Sequence, residues 1–121
     1  MMEKEIEQVL PEWAMGMGCA ITVCDAEGKI IYMNKRSQQT FAKRGGAALI
    51  GHSLFDYHGD RASEMIRHML ATGDSNCYTI EKEGQRKMIY QTPWRDSKGE
   101  VGGLVELSMV IPENPPHYIR S

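Results

Sequence analysis

The sequence lacks any block of like charge. Its 14 basic and 16 acidic residues are interspersed, leaving a formal net charge of -2. With no run of Lys and Arg to neutralise phosphates, nucleic-acid binding is not expected. No apolar run approaches a membrane span, and Met1-Met2-Glu3-Lys4-Glu5 is acidic where a secretory leader turns basic and then apolar. A cytoplasmic protein with no membrane partner is therefore expected. Cysteine is sparse: Cys19, Cys24 and Cys77 make an odd set without a Cys-x-x-Cys pair or a zinc-ligand spacing. Free, mostly buried thiols in a reducing compartment follow. Gly45-Gly46 and Gly102-Gly103 lack the surrounding residues of phosphate-binding loops. Internal repeats and low-complexity segments are also missing.

What is present fits one hydrophobic core in 121 residues, with nine methionines as adaptable filler. The stretch Ala20–Asn34 carries two short β-branched runs, Ile21–Cys24 and Ile30–Met33, around Asp25-Ala26-Glu27-Gly28. Asp caps its own turn and Gly supplies positive φ, so the spacing predicts a β-hairpin ending at Asn34. A polar helix over Lys35–Arg44 follows, stopped by Gly45-Gly46, then one helical turn over Ala47–Ile50. The connector Gly51–His58 turns Leu54, Phe55 and Tyr57 inward. Asp60 is read as the cap of a helix over Arg61–Thr72, with Ala62, Met65, Ile66, Met69 and Leu70 as its buried stripe. Strands over Asn76–Lys82, Arg86–Trp94 and Val101–Ile111 then form an antiparallel meander, with turns at Glu83-Gly84 and Asp96–Gly99. Before the hairpin, Ile6, Val9, Leu10 and Trp13 recur at helical spacing around Pro11. So short a helix does not hold itself in water and must pack on its own sheet or a partner.

The order of hairpin, Asn34, polar helix, Gly51-His52-Ser53-Leu54-Phe55, amphipathic helix and three strands resembles the PAS domain, a small sensory module, over residues 18–112. That resemblance implies an α+β fold: a PAS-like five-stranded antiparallel sheet with helices on one face and an N-terminal capping helix. The last strand would lie beside the first. Residues 1–17 would form the cap helix and linker, and 113–121 a proline-rich tail. It also implies a homodimer built on Ile6, Val9, Leu10 and Trp13. Most PAS proteins continue into an output domain; with none in this chain, the signal is expected to leave in trans through a surface contacted by another protein.

The expected function is binding of a small-molecule ligand between sheet and helices. Pocket candidates are Phe55, Tyr57, His58, Met65, Met69, Tyr90, Leu104, Glu106 and Ser108. Two alternatives stand beside it. One is a haem gas or redox sensor with His58 as axial ligand, since the connector before the long helix carries that histidine in one group of haem-binding PAS domains. The other is a ligand-free dimerisation or adaptor module. His68 and His117 read as surface residues. Flavin-cysteinyl photochemistry is not expected, because no cysteine follows Gly51. Glu106 either joins Ser108 on the pocket wall or sits on an exposed face or in a salt bridge to an arginine. Tyr90, Thr92 and Trp94 share one strand face, which either meets a ligand or forms core or interface. His58, Glu106 and Ser108 are the only set resembling catalytic machinery, and nothing orders them, so no enzyme is expected.

Overall fold

The computed structural model describes residues 11–121. In chain order the elements are α1 (Glu12–Met15), β1 (Ala20–Asp25), β2 (Ile30–Met33), α2 (Lys35–Thr40), 3₁₀ turns at Ala42–Arg44, Gly46–Leu49 and Leu54–Tyr57, α3 (Asp60–Thr72), β3 (Asn76–Lys82), β4 (Gln85–Arg95) and β5 (Val101–Ile111). The strands form one antiparallel sheet of order β2-β1-β5-β4-β3, so the last strand pairs with the first. This is the α+β architecture expected. Ile6, Val9 and Leu10 lie outside the described residues, while Trp13 on α1 is 70% exposed.

The first hairpin closes as its chemistry dictates. Asp25 Oδ1 accepts from the amides of Glu27 and Lys29, each at 2.9 Å, and Gly28 takes φ +87°. The Phe55 ring packs against Gly28, where a Cβ would strike it. At the β3–β4 turn, Glu83 and Gly84 both hold positive φ, the pattern whose twist suits a two-residue hairpin.

Alternation along β5 sorts the sheet into two faces. Outward, Val105, Leu107 and Met109 pack with Ile21, Val23, Tyr32, Cys19, Ala14 and Met15, so α1 covers part of that face. Inward, Cys24 and Leu104 pack with Ile66 and Met69 of α3, and Ile30 and Met33 with Leu49. Met33 and Met69 are only 1% exposed, each contributing about 2–3 kcal/mol of burial.

Helix α3 departs from expectation in two ways. Gly59 occupies the cap and Asp60 is the first helical residue, where a carboxylate favours the positive helix end without capping it. Its buried residues are Ser63, Ile66 and Met69, with Leu70 half-buried, whereas Ala62 and Met65 face solvent. The face chosen contains a serine, whose hydroxyl donates to the His58 carbonyl at 3.4 Å, and a stripe read from hydrophobicity alone passes over it. The polar helix likewise stops at Thr40, and Ala42–Arg44 is a separate 3₁₀ turn.

Candidate ligand cavity

Between the inner sheet face and the helical half lies a cavity of about 90 Å³. That is several times the minimum of about 10–15 Å³ that admits a single water. Its lining is mainly apolar: Cys24, Ile30, Met33, Phe41, Leu49, Leu54, Ile66 and Leu104. Thr22, Gln91 and Glu106 supply polar groups from the strands, and the exposed Arg44, Tyr57 and His58 stand at the mouth.

The sheet register places the polar wall. Thr22 pairs with Glu106 and Gln91 pairs with Glu106, so three neighbouring strands present one polar row to the interior. Asn76 Nδ2 donates to Gln91 Oε1 at 3.2 Å, and Gln91 Nε2 donates to Glu106 Oε2 at 2.9 Å. Because a carboxylate only accepts, the amide orientation of Gln91 is fixed. Glu106 thus faces the interior, and its partner is a glutamine, not an arginine. On the neighbouring edge strand, burial and the Glu106 charge push the Tyr78 hydroxyl upward, keeping it protonated. Burial pushes the Cys24 thiol up to about 11, so it is an inert wall atom and not a nucleophile.

The expected pocket residues divide. Tyr57, His58, Leu104 and Glu106 line the cavity. Phe55 and Met69 pack in the core beside it instead, with the Arg67 guanidinium 4.4 Å above the Phe55 ring. Ser108 shares the inward side of β5 but lies outside the lining. Met65 is 46% exposed on the solvent side of α3. Tyr90 is opposite Leu107 on the outer face, so the aromatic stripe of β4 points away and Gln91 reaches the cavity. Trp94 lies over Gly102 and Gly103, where a Cβ would meet its indole, and its Nε1 donates to the Cys24 carbonyl at 3.1 Å.

A porphyrin does not fit these residues. The cavity is under a third of the ~300 Å³ at which ordinary ligand pockets begin. His58 Nδ1 is 2.7 Å from the Leu54 carbonyl, a contact that orients the ring and leaves Nε2 free, so the misfit is one of volume.

One residue that the sequence reading used only as a hairpin end proves to be a junction. Asn34 is fully buried. Its Oδ1 accepts from the amides of Ile21 and Ser37, and its Nδ2 donates to the carbonyls of Ala14 and Cys19, all at 2.9 Å. Ser37 in turn hydrogen-bonds Thr22 on the cavity wall, at 2.6 Å between hydroxyl oxygens.

A sequence model of the PAS fold matches residues 16–114. No curated protein matches the chain. Among solved structures, the Vibrio cholerae VqmA dimer, described as a LuxR-type receptor with a target DNA, aligns with TM-score 0.66 at 17% identity. The alignment covers 89% of this chain and 52% of that one, so the chain spans about half of VqmA's length. The Aer2 receptor of Vibrio cholerae, a dual PAS-heme oxygen sensor, aligns with TM-score 0.58 at 20% identity over 78% of this chain and 95% of that one. The PAS domain of the histidine kinase ThkA aligns with TM-score 0.62 at 18% identity over 77% and 99%. At these identities the structural likeness is one of fold.

Proposed function

The chain belongs to the PAS family, and from that premise we propose that it is a sensor whose inner cavity binds a small molecule and whose outer sheet face reports occupancy to a partner. The observation that carries this reading is the polar row Thr22, Gln91 and Glu106 set into an otherwise apolar cavity. Thr22 and Gln91 are already hydrogen-bonded, to Ser37 and Glu106, so a ligand would meet a preorganised wall on which the Glu106 carboxylate still has acceptor capacity.

The route outward runs through Ser37 and Asn34. A ligand that moves Thr22 shifts a hydroxyl pair, then a helix cap, then the carbonyls at both ends of the α1–β1 connection. Occupancy thereby biases how α1 sits on Val105, Leu107 and Met109. The partner is a second copy of the chain, a signalling protein acting in trans, or both, and no nucleic acid. We further propose a binding module without catalysis: His58 stands at the mouth, Ser108 lies outside the lining, and the Cys24 thiol is held protonated.

Nuclear magnetic resonance tests the reading. A library of small, fragment-sized molecules, matched to a cavity of about 90 Å³, is titrated into the chain labelled with nitrogen-15. Binders should shift the side-chain amides of Gln91 and Asn34 together. A library without binders, or binders that move neither amide, would overturn it.

A further inference from the structure

The cavity wall carries two opposite charges on separate elements. Glu106 stands on the central strand β5, where Gln91 occupies Oε2. Its other oxygen, Oε1, accepts no hydrogen bond among the described residues. Arg44 closes the 3₁₀ turn after α2 and stands at the mouth; its backbone amide donates to the Phe41 carbonyl at 2.9 Å, while its guanidinium makes no ion pair or hydrogen bond among the described residues. The same cavity is lined by the hydrocarbon of Leu49, Leu54 and Ile66. A carboxylate accepts only and a guanidinium donates only, so each asks for the opposite chemistry from whatever enters.

We propose that the cavity selects a small amphoteric molecule. An ammonium or comparable N–H donor would sit on Glu106 Oε1, a carboxylate or comparable anion on Arg44, and a short apolar body between them. This rests on the reading of the cavity as a ligand site and names the class of ligand. Neutral molecules of the same size leave both charges unanswered. Singly charged ones answer only one of the two. Size sets the second limit, since a cavity of about 90 Å³ suits a short-chain molecule and excludes nucleotides and larger cofactors.

Four probes of one carbon skeleton test it: γ-aminobutyrate, butylamine, butyrate and butanol, with dissociation constants taken from chemical-shift titration of the full chain. γ-Aminobutyrate should bind at least about tenfold tighter than either singly charged probe, as expected for a charge-assisted contact, and butanol should bind most weakly. Glu106→Gln should weaken γ-aminobutyrate and butylamine roughly tenfold and spare butyrate. Arg44→Met, at an exposed position where folding is not at stake, should weaken γ-aminobutyrate and butyrate and spare butylamine. Butanol binding as tightly as γ-aminobutyrate, equal losses across all four probes in Arg44→Met, or no binding by any probe would overturn the proposal. If a neutral molecule then moved the Gln91 amide, the sensor reading would stand without this one. If no molecule moved it, both would fall.

Discussion

Asn34 Nδ2 donates to the Ala14 carbonyl at 2.9 Å, tying the start of α2 to the end of α1 across the edge of the sheet. With its other three bonds, the side chain spends both donors and two acceptor sites at zero exposure. Replacement by Ala strands the Cys19 carbonyl and the Ile21 and Ser37 amides, takes one of two donors from the Ala14 carbonyl, and removes a helix cap. At about 1–3 kcal/mol for a stranded buried group and about 1 for a cap, Asn34→Ala should cost at least 3 kcal/mol in urea denaturation. A loss under about 1 kcal/mol would show that water replaces the amide and that the junction is not structural.

The thiols should behave oppositely. Cys77 is exposed and should react with iodoacetamide in the native state at neutral pH, while Cys24 should be protected until the chain unfolds. Cys24 also has a pH signature. Its folded value of about 11 exceeds the ordinary 9.0, so above pH 9 the unfolded chain releases a proton that the folded chain keeps. The stability present below pH 9 should fall as pH rises to about 11, by about 2 kcal/mol at 1.36 kcal/mol per unit. Urea midpoints across that range should drop less steeply in Cys24→Ala.

Gly103 is demanded by packing. A Cβ there would collide with the Cys24 carbonyl and the Trp94 indole, at the β1–β5 and β4–β5 pairings. Gly103→Ala should destabilise by about 1–3 kcal/mol and red-shift tryptophan emission as the indole is levered outward. Unchanged emission and stability would mean that the strands separate without cost.

Haem addition should yield no specific complex. Hemin in excess should give no sharp Soret band, and His58→Ala should leave the spectrum as it is in the parent chain. A band that responds to dithionite and carbon monoxide and disappears in His58→Ala would require the cavity to open several-fold.

Much of the fold was legible because local chemistry fixes it. Asp25 and Gly28 specify the first turn, Gly73 ends α3 in the left-handed region, and β-branched runs mark the strands. Face and depth were harder to read. Strand period assigned Glu106 and Tyr90 to alternating faces, yet which face looks inward depends on register, and the structure turned Gln91 inward and Tyr90 outward. On α3, Ser63 shares the buried face with Ile66 and Met69 at three-residue spacing, and its hydroxyl reaches the His58 carbonyl, while Met65 falls outside that face. Thr22, Cys24, Gln91 and Arg44 went unnoticed as lining residues, being ordinary strand and helix-end residues until tertiary contacts assemble them. Arg44 carried a weak signal: a cation just before Gly45-Gly46, where the chain turns back toward the sheet. Asn34 carried a stronger one, a polar residue abutting an apolar run at a strand-to-helix switch.

The most direct measurement is mass spectrometry of small molecules released by acid from natively purified chain, set against the cavity-filling variant Leu104→Phe. The parent chain should release one defined molecule, small enough for about 90 Å³, that raises its melting temperature when restored, and the variant should release none. Identical releases from the two proteins, or a molecule that leaves the melting temperature unmoved, would contradict a ligand-sensing cavity.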